Sequence, residues 1–195
     1  MKKLIYLTGN PGKVEEANRF FRDKFGFNLE IKDPDFEVLE IQAKSCIDVV
    51  KFSAKYAADK LGYACLKSDT GVYMDCLGGL PGPYNAYFDK QIGAEKFLEL
   101  IKNESDRRAR LEHSFAYCEP GSDPIVFSGG STGILAYQCR GERGRWHDLF
   151  FIPDGETKTL SELRSIDEIH EAKFWGTAIE EFGAWYRNNI LQTTS

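Results

Sequence analysis

No long apolar run occurs in this sequence. The first one, Leu4-Ile5-Tyr6-Leu7, stops at Thr8, whereas a membrane-spanning helix needs about 20 apolar residues and a secretory leader a longer apolar centre than MKKLIYL provides. A soluble, cytoplasmic protein with no membrane contact is the expectation. No C-x-x-C pair occurs either. The five cysteines, Cys46, Cys65, Cys76, Cys118 and Cys139, are odd in number and irregular in spacing, which argues against a disulfide framework or a zinc knuckle and points to buried thiols in a reducing compartment. A basic excess is absent as well. With 25 Lys and Arg against 30 Asp and Glu, the net charge is −5, so the chain is not expected to hold nucleic acid by neutralising its phosphates. A local basic pocket for a small anionic ligand stays compatible with that balance.

What is present is the composition of a globular chain, 42% hydrophobic and 28% charged over 195 residues, enough for one substantial core. A single domain over 1–195, in one piece or as two lobes, is expected. Leu4 to Leu7 reads as a buried strand ended by Thr8-Gly9-Asn10-Pro11. From Lys13, the residues Val14, Ala17, Phe20, Phe21 and Phe25 keep a helical period until Gly26. Asn28 to Ile31 and the alternating run Phe36 to Ile41 read as further strands. Ile47, Val50, Ala54, Ala57, Ala58 and Leu61 share one helical face that Gly62 closes. Tyr63 to Leu66 reads as a strand delivering Ser68-Asp69-Thr70-Gly71 at its end. CLGGLPGPYNAYF reads as a structured loop, Gly93 to Ile101 as a helix, and RARLEHSFAYCEP and PIVFSGGSTGILAYQCRG as strands broken by turns. Leu160 to Trp185 reads as helix in two pieces. The alternation of strands and helices predicts a mixed α/β core whose strand ends carry the chemistry.

The stretch LTGNPGKVEEANRF places a glycine and a lysine just after a strand, as phosphate sites often do. It is no Walker A loop. G-x-x-x-x-G-K-[ST] would need glycine at Leu7 and a hydroxyl at Val14. Lys13 in the first turn of a helix, beside Gly9 and Asn10, can still meet phosphate together with backbone N–H groups. Three acids stand out farther on: Glu40, Asp69 and Asp75. Magnesium on a nucleotide is held by one or two carboxylates and the substrate's own phosphates, so Glu40 and Asp69 would suffice. Taken singly, an acid at a strand end is most often a solvated residue or a helix N-cap. Lys51 and Lys55 share a helical face, and spacing does not choose between them as a phosphate contact.

These stretches stand in order. LTGNPGKVEEA, EVLEIQA, SDTGVYMDCLGGLPGPYNAYF, DRRARL and FFIPDGETKTLSEL together resemble the inosine triphosphate pyrophosphatase family along nearly the whole chain, T-G-N-x-x-K-x-x-E and G-G-L-P-G-P-Y being the specific elements. The resemblance implies an elongated mixed β-sheet with flanking helices, two lobes around a central nucleotide cleft, and a homodimer. It also implies Mg2+-dependent hydrolysis of nucleoside triphosphates such as ITP and XTP to monophosphate and pyrophosphate, a nucleotide-pool house-cleaning activity. Carried over by position, Thr8, Asn10 and Lys13 form the triphosphate-binding turn, with Lys51 or Lys55 adding to it. Glu40 and Asp69 hold the metal, Asp69 also orients or deprotonates the attacking water, and Gly71 lets the chain pass close to ligand.

Three departures accompany the resemblance. Ser68-Asp69 stands where the family usually has two adjacent acids. Arg145-Trp146-His147-Asp148-Leu149 stands where it has F-G-[YW]-D-P, which leaves Trp146 either to stack on a base or to pack in the core, and keeps Asp148. RSIDEIHEAKFWGTA stands where S-H-R is expected, with His170 and Lys173 as the only stand-ins. A nucleotide-binding protein of the same fold with impaired turnover, or a pyrophosphatase for another modified or pyrimidine nucleotide, are the alternatives these departures raise.

Overall fold

The computed structural model describes residues 3–9, 11–33, 35–166 and 176–192. Asn10, His170 and Lys173 lie outside them. The elements are β1 (Leu4–Tyr6), α1 (Pro11–Phe25), β2 (Glu30–Ile31), α2 (Cys46–Leu61), β3 (Ala64–Met74), β4 (Pro81–Gly82), α3 (Asn85–Gln91), α4 (Ala94–Leu100), β5 (Arg108–Cys118), β6 (Ile125–Leu135), β7 (Phe151–Pro153), α5 (Leu160–Ile166) and α6 (Gly176–Tyr186). Six strands pair in the order β2-β1-β3-β5-β6-β7, and β4 adds to β3. β1 runs parallel to β2 and β3, whereas β3–β4 and β6–β7 are antiparallel. The fold is α/β with a seven-stranded mixed sheet, as expected.

The chain divides into two compact units, residues 1–69, 113–129 and 171–195 in the first and 70–112 and 130–170 in the second. The core of the first explains why β1 is apolar throughout. Leu4 and Tyr6 pack with Val14, Ala17 and Phe21 of α1 and with Ile179, Phe182 and Tyr186 of α6 and its end. Ile5 and Leu7 pack on the opposite face against Val50, Ala54, Ala57 and Ala58 of α2. Successive strand residues point to opposite faces, so a strand covered on both sides has no polar position to offer. A group of stacked and edge-on rings, Phe21, Phe27, Phe182 and Tyr186, fills the first face.

Helix α2 matches its sequence signals closely. Ser45 caps it, its hydroxyl accepting from the Asp48 N–H at 3.2 Å, and Gly62 ends it at φ 71° with its N–H donating to the Ala58 carbonyl at 3.0 Å, a left-handed cap that favours glycine. Two expectations need correction. Residues 36–41 form no strand. Their alternation reflects a coil with Phe36 and Val38 packed on the α2-side core, tied by side chains: Ser53 Oγ donates to the Leu39 carbonyl at 2.7 Å and Lys32 Nζ to the Phe36 carbonyl at 3.0 Å. β3 is 11 residues long, so Ser68 to Gly71 lie within it and not past its end. Strand propensity continues through Thr70, Val72 and Tyr73, and Gly71 does not break a strand paired with neighbours on both sides.

On α2, Lys55 and Asp59 hold the turn after β5. The Gly121 N–H donates to Asp59 at 2.7 Å, and Lys55 Nζ reaches the Ser122 carbonyl at 3.0 Å. The Gly121 hydrogen bond, with Lys55 adding to it, lowers the pKa of Asp59 below its ordinary 3.8. A depressed carboxylate adds stability that is complete above its unfolded-state value and is lost as pH falls through the folded one. The thermal midpoint should therefore fall below about pH 3.8, and Asp59→Asn should flatten that part of the curve, checked by thermal melts from neutral pH downward.

Candidate active site

Parallel pairing of β1 and β3 aligns Tyr6 with Leu66, and the Leu7 N–H donates to the Leu66 carbonyl at 2.8 Å. Beyond that register, Thr8, two residues past the end of β1, and Ser68 and Asp69 of β3 follow in the same direction along the parallel pair. One contact fixes the alignment: the hydroxyls of Tyr6 and Ser68 lie 2.6 Å apart. Tyr6 is buried and Ser68 partly so. The position that lacks an acid is thus occupied by a hydroxyl held from the core. Lys13 stands in the first turn of α1, which starts at Pro11 directly after the β1 exit, and both it and Thr8 are half-buried. Asp69 is half-buried on β3.

Glu40 belongs to the 36–44 coil and meets a partner that sequence reasoning did not single out. Lys67, immediately before Ser68, is buried, and its ammonium donates to Glu40 Oε1 at 2.5 Å. The signal was a lysine inside the apolar opening of β3, Cys65-Leu66-Lys67, where a charge needs a partner. Of the two candidate lysines on α2, Lys55 is engaged by Asp59 at 3.5 Å and by the Ser122 carbonyl, and Lys51 is exposed. Thr8, Lys13, Glu40, Lys51, Lys55 and Asp69 all belong to the first unit. Among the described residues, no group of three or more His, Cys, Asp and Glu side chains is arranged to hold a metal by itself.

Gly71, Trp146 and Asp148 belong to the second unit, and Gly71 is buried in β3. Trp146 is 5% exposed. Its indole N–H donates to Asn85 Oδ1, and its ring meets Phe97 and Phe150 edge-on at 5.2 and 5.1 Å. Of its two sequence readings, the structure places this indole in the core. Asp148 is fully buried. It accepts from the Arg145 N–H at 2.7 Å, and Arg164 Nε lies 3.1 Å from the same oxygen. The tight approach needs glycine at 144, where φ is +93° and a Cβ would run into the Asp148 carboxylate. Asp148 thereby fastens the Arg145–Phe150 turn to α5, a use that no sequence signal marked because Arg164 sits far away in a helix of ordinary composition.

The chain matches the model of the Ham1 family over residues 4–185. It belongs to that family. It is similar to the dITP/XTP pyrophosphatase of Methanopyrus kandleri, with 37% identity over 96% of this chain and 98% of that one. It is also similar to the dITP/XTP pyrophosphatase of Thermococcus kodakarensis, at 32% identity over 96% and 99%. A HAM1 protein of Coxiella burnetii shares the fold, with a TM-score of 0.79 and 24% identity over the full length of both chains. The resemblance drawn from the motifs is borne out, and so is the α/β fold.

Removing one partner of a buried ion pair leaves the other charge stranded. Asp148→Ala should lower the unfolding free energy by about 3–5 kcal/mol, read from urea denaturation. A loss near zero would mean that Arg164 and the Arg145 N–H do not depend on it.

Proposed function

We propose that this protein hydrolyses nucleoside triphosphates to nucleoside monophosphate and pyrophosphate, with deaminated purine nucleotides such as dITP, ITP and XTP as substrates, and so clears the nucleotide pool. The observation that carries this reading is the parallel pairing of β1 and β3, which directs the chain after Tyr6, with Thr8 and the start of α1, and the chain after Leu66, with Asp69, toward the same end, in a chain that spans nearly all of relatives named for that activity. Backbone N–H groups at the start of α1 together with Lys13 favour phosphate oxygens, and Asn10, outside the described residues, belongs to the same turn in this reading. Lys51 is the α2 lysine we assign to phosphate, because Lys55 is spent on the turn after β5.

Mg2+ fits the carboxylates present. Asp69 and the half-exposed Glu40 supply the one or two oxygen ligands that magnesium takes beside a substrate's phosphates. When bound, the ion spreads the negative charge that develops during phosphoanhydride cleavage. Asp69 orients a water and takes its proton as the water oxygen bonds to the α-phosphorus and pyrophosphate departs. Lys13 and Thr8 hold the departing phosphates.

Gly71 of the second unit lets the chain approach ligand in this reading. Trp146 and Asp148, both buried, act in this reading by shaping their turn. We further propose a cytoplasmic homodimer. The free cysteines suit a reducing compartment, and exposed Leu80, Tyr84 and Tyr87 of the second unit suit coverage by a second copy. Light scattering at micromolar concentration should give twice the 22.1 kDa chain mass.

Purified protein with Mg2+ should release pyrophosphate from dITP, ITP and XTP in preference to canonical nucleotides and dUTP. In the same assay Asp69→Asn should lose about 100-fold or more in kcat, and Lys51→Ala should raise KM more than Lys55→Ala does. Full activity in Asp69→Asn would remove its assigned role. Nucleotide-dependent heat protection without any pyrophosphate release would favour a binding protein instead, a reading to which Ser68 at an acid position gives support.

A further inference from the structure

Lys67 enters the candidate site from the inside. Its side chain is 10% exposed and that of Glu40 is 55% exposed, so the ammonium covers the inner side of the carboxylate while the outer side faces water. The pair is short, 2.5 Å, and both partners are held. Lys67 lies on β3 next to Ser68, which the buried Tyr6 hydroxyl grips at 2.6 Å. Glu40 follows Leu39, whose carbonyl is anchored by the buried Ser53 of α2. Ordering two groups before they meet reduces the entropy lost in pairing them, so this ion pair is better placed than one between mobile surface chains. An arriving cation would meet a carboxylate whose charge is already neutralised and whose neighbour repels it.

We propose that Lys67 is a resident counter-ion that competes with the divalent metal for Glu40, so that nucleotide-free protein binds metal weakly and metal gains the site together with a triphosphate. The competition follows from charge. A triphosphate brings negative oxygens that can receive the displaced ammonium, whereas a bare metal ion brings nothing to compensate Lys67. The proposal rests on the reading of Glu40 as a metal ligand, and its test uses no nucleotide turnover, so a negative result would leave the pyrophosphatase reading intact.

The test is Mn2+ binding to nucleotide-free protein, followed by the electron paramagnetic resonance signal of the free ion. Lys67→Met should tighten Mn2+ binding about tenfold or more, while Lys60→Met, which removes the same charge from an exposed site on α2, should change it less than about threefold. Adding Glu40→Gln to Lys67→Met should abolish the gain. Equal effects of the two lysine substitutions, or a gain that survives Glu40→Gln, would overturn the proposal. The wild-type chain supplies an independent measurement should Lys67→Met fail to fold. Lys67 should resist reductive methylation in metal-free protein and become labelled when Mn2+ is saturating, as mass spectrometry of its peptide would report; protection unchanged by the metal would likewise overturn it.

Discussion

Burial of β1 and the start of β3 on both faces governs where the first unit can place a polar group. With α1 and α6 on one side and α2 on the other, Leu4 to Leu7 and Cys65 to Leu66 have no direction that leads to water. Polar chemistry is thereby pushed toward the end of the strand pair, where Thr8 follows β1 and Ser68 and Asp69 follow Leu66 along β3. Two polar groups inside this core reach partners toward that end. The Tyr6 hydroxyl finds Ser68 and the Lys67 ammonium finds Glu40, as buried polar groups must. The candidate site is in this sense a by-product of covering a sheet twice: the core holds the strands still, and the groups it cannot cover collect at one end.

The second unit treats its polar residues differently. The Arg145–Phe150 turn keeps an aspartate and a tryptophan, but both are turned inward, the one onto Arg164 and the other onto Asn85 and a pair of phenylalanines. Arg107 is similarly committed, its guanidinium donating to the carbonyls of Ile101, Leu135 and Ala136 while stacking on Tyr137. Such buried charges serve geometry before recognition. They hold loop backbones that have no ladder of their own.

Elements with dense local signals were legible in the sequence: α2 with its serine cap and glycine stop, α1 with its aromatic face, and β1 as an unbroken apolar run. The misread segments are those whose conformation is decided by distant partners. Phe36 to Ile41 alternates like a strand, yet no neighbouring strand takes it, and a serine of α2 and a lysine of β3 hold it instead. The length of β3 was hidden because Gly71 looks like a terminator until neighbouring strands are seen to hold it. At the candidate site, spaced motifs singled out Thr8, Lys13, Glu40 and Asp69 in the sequence. The Lys67–Glu40 and Asp148–Arg164 pairs were not legible, since 27 and 16 residues respectively separate the partners.

One small feature of α2 reaches farther than its size. Lys55 and Asp59 are one turn apart on the helix and grasp neighbouring groups of the same turn, the Ser122 carbonyl and the Gly121 amide. Exposed turns between strands are ordinarily where a chain tolerates added residues. Here a single inserted residue would move one grasped group away from its helix partner while leaving the other in place, and the two cannot be restored together by sliding a rigid helix. The 119–123 turn is therefore a poor position for a tag or a graft, although its exposure alone would recommend it.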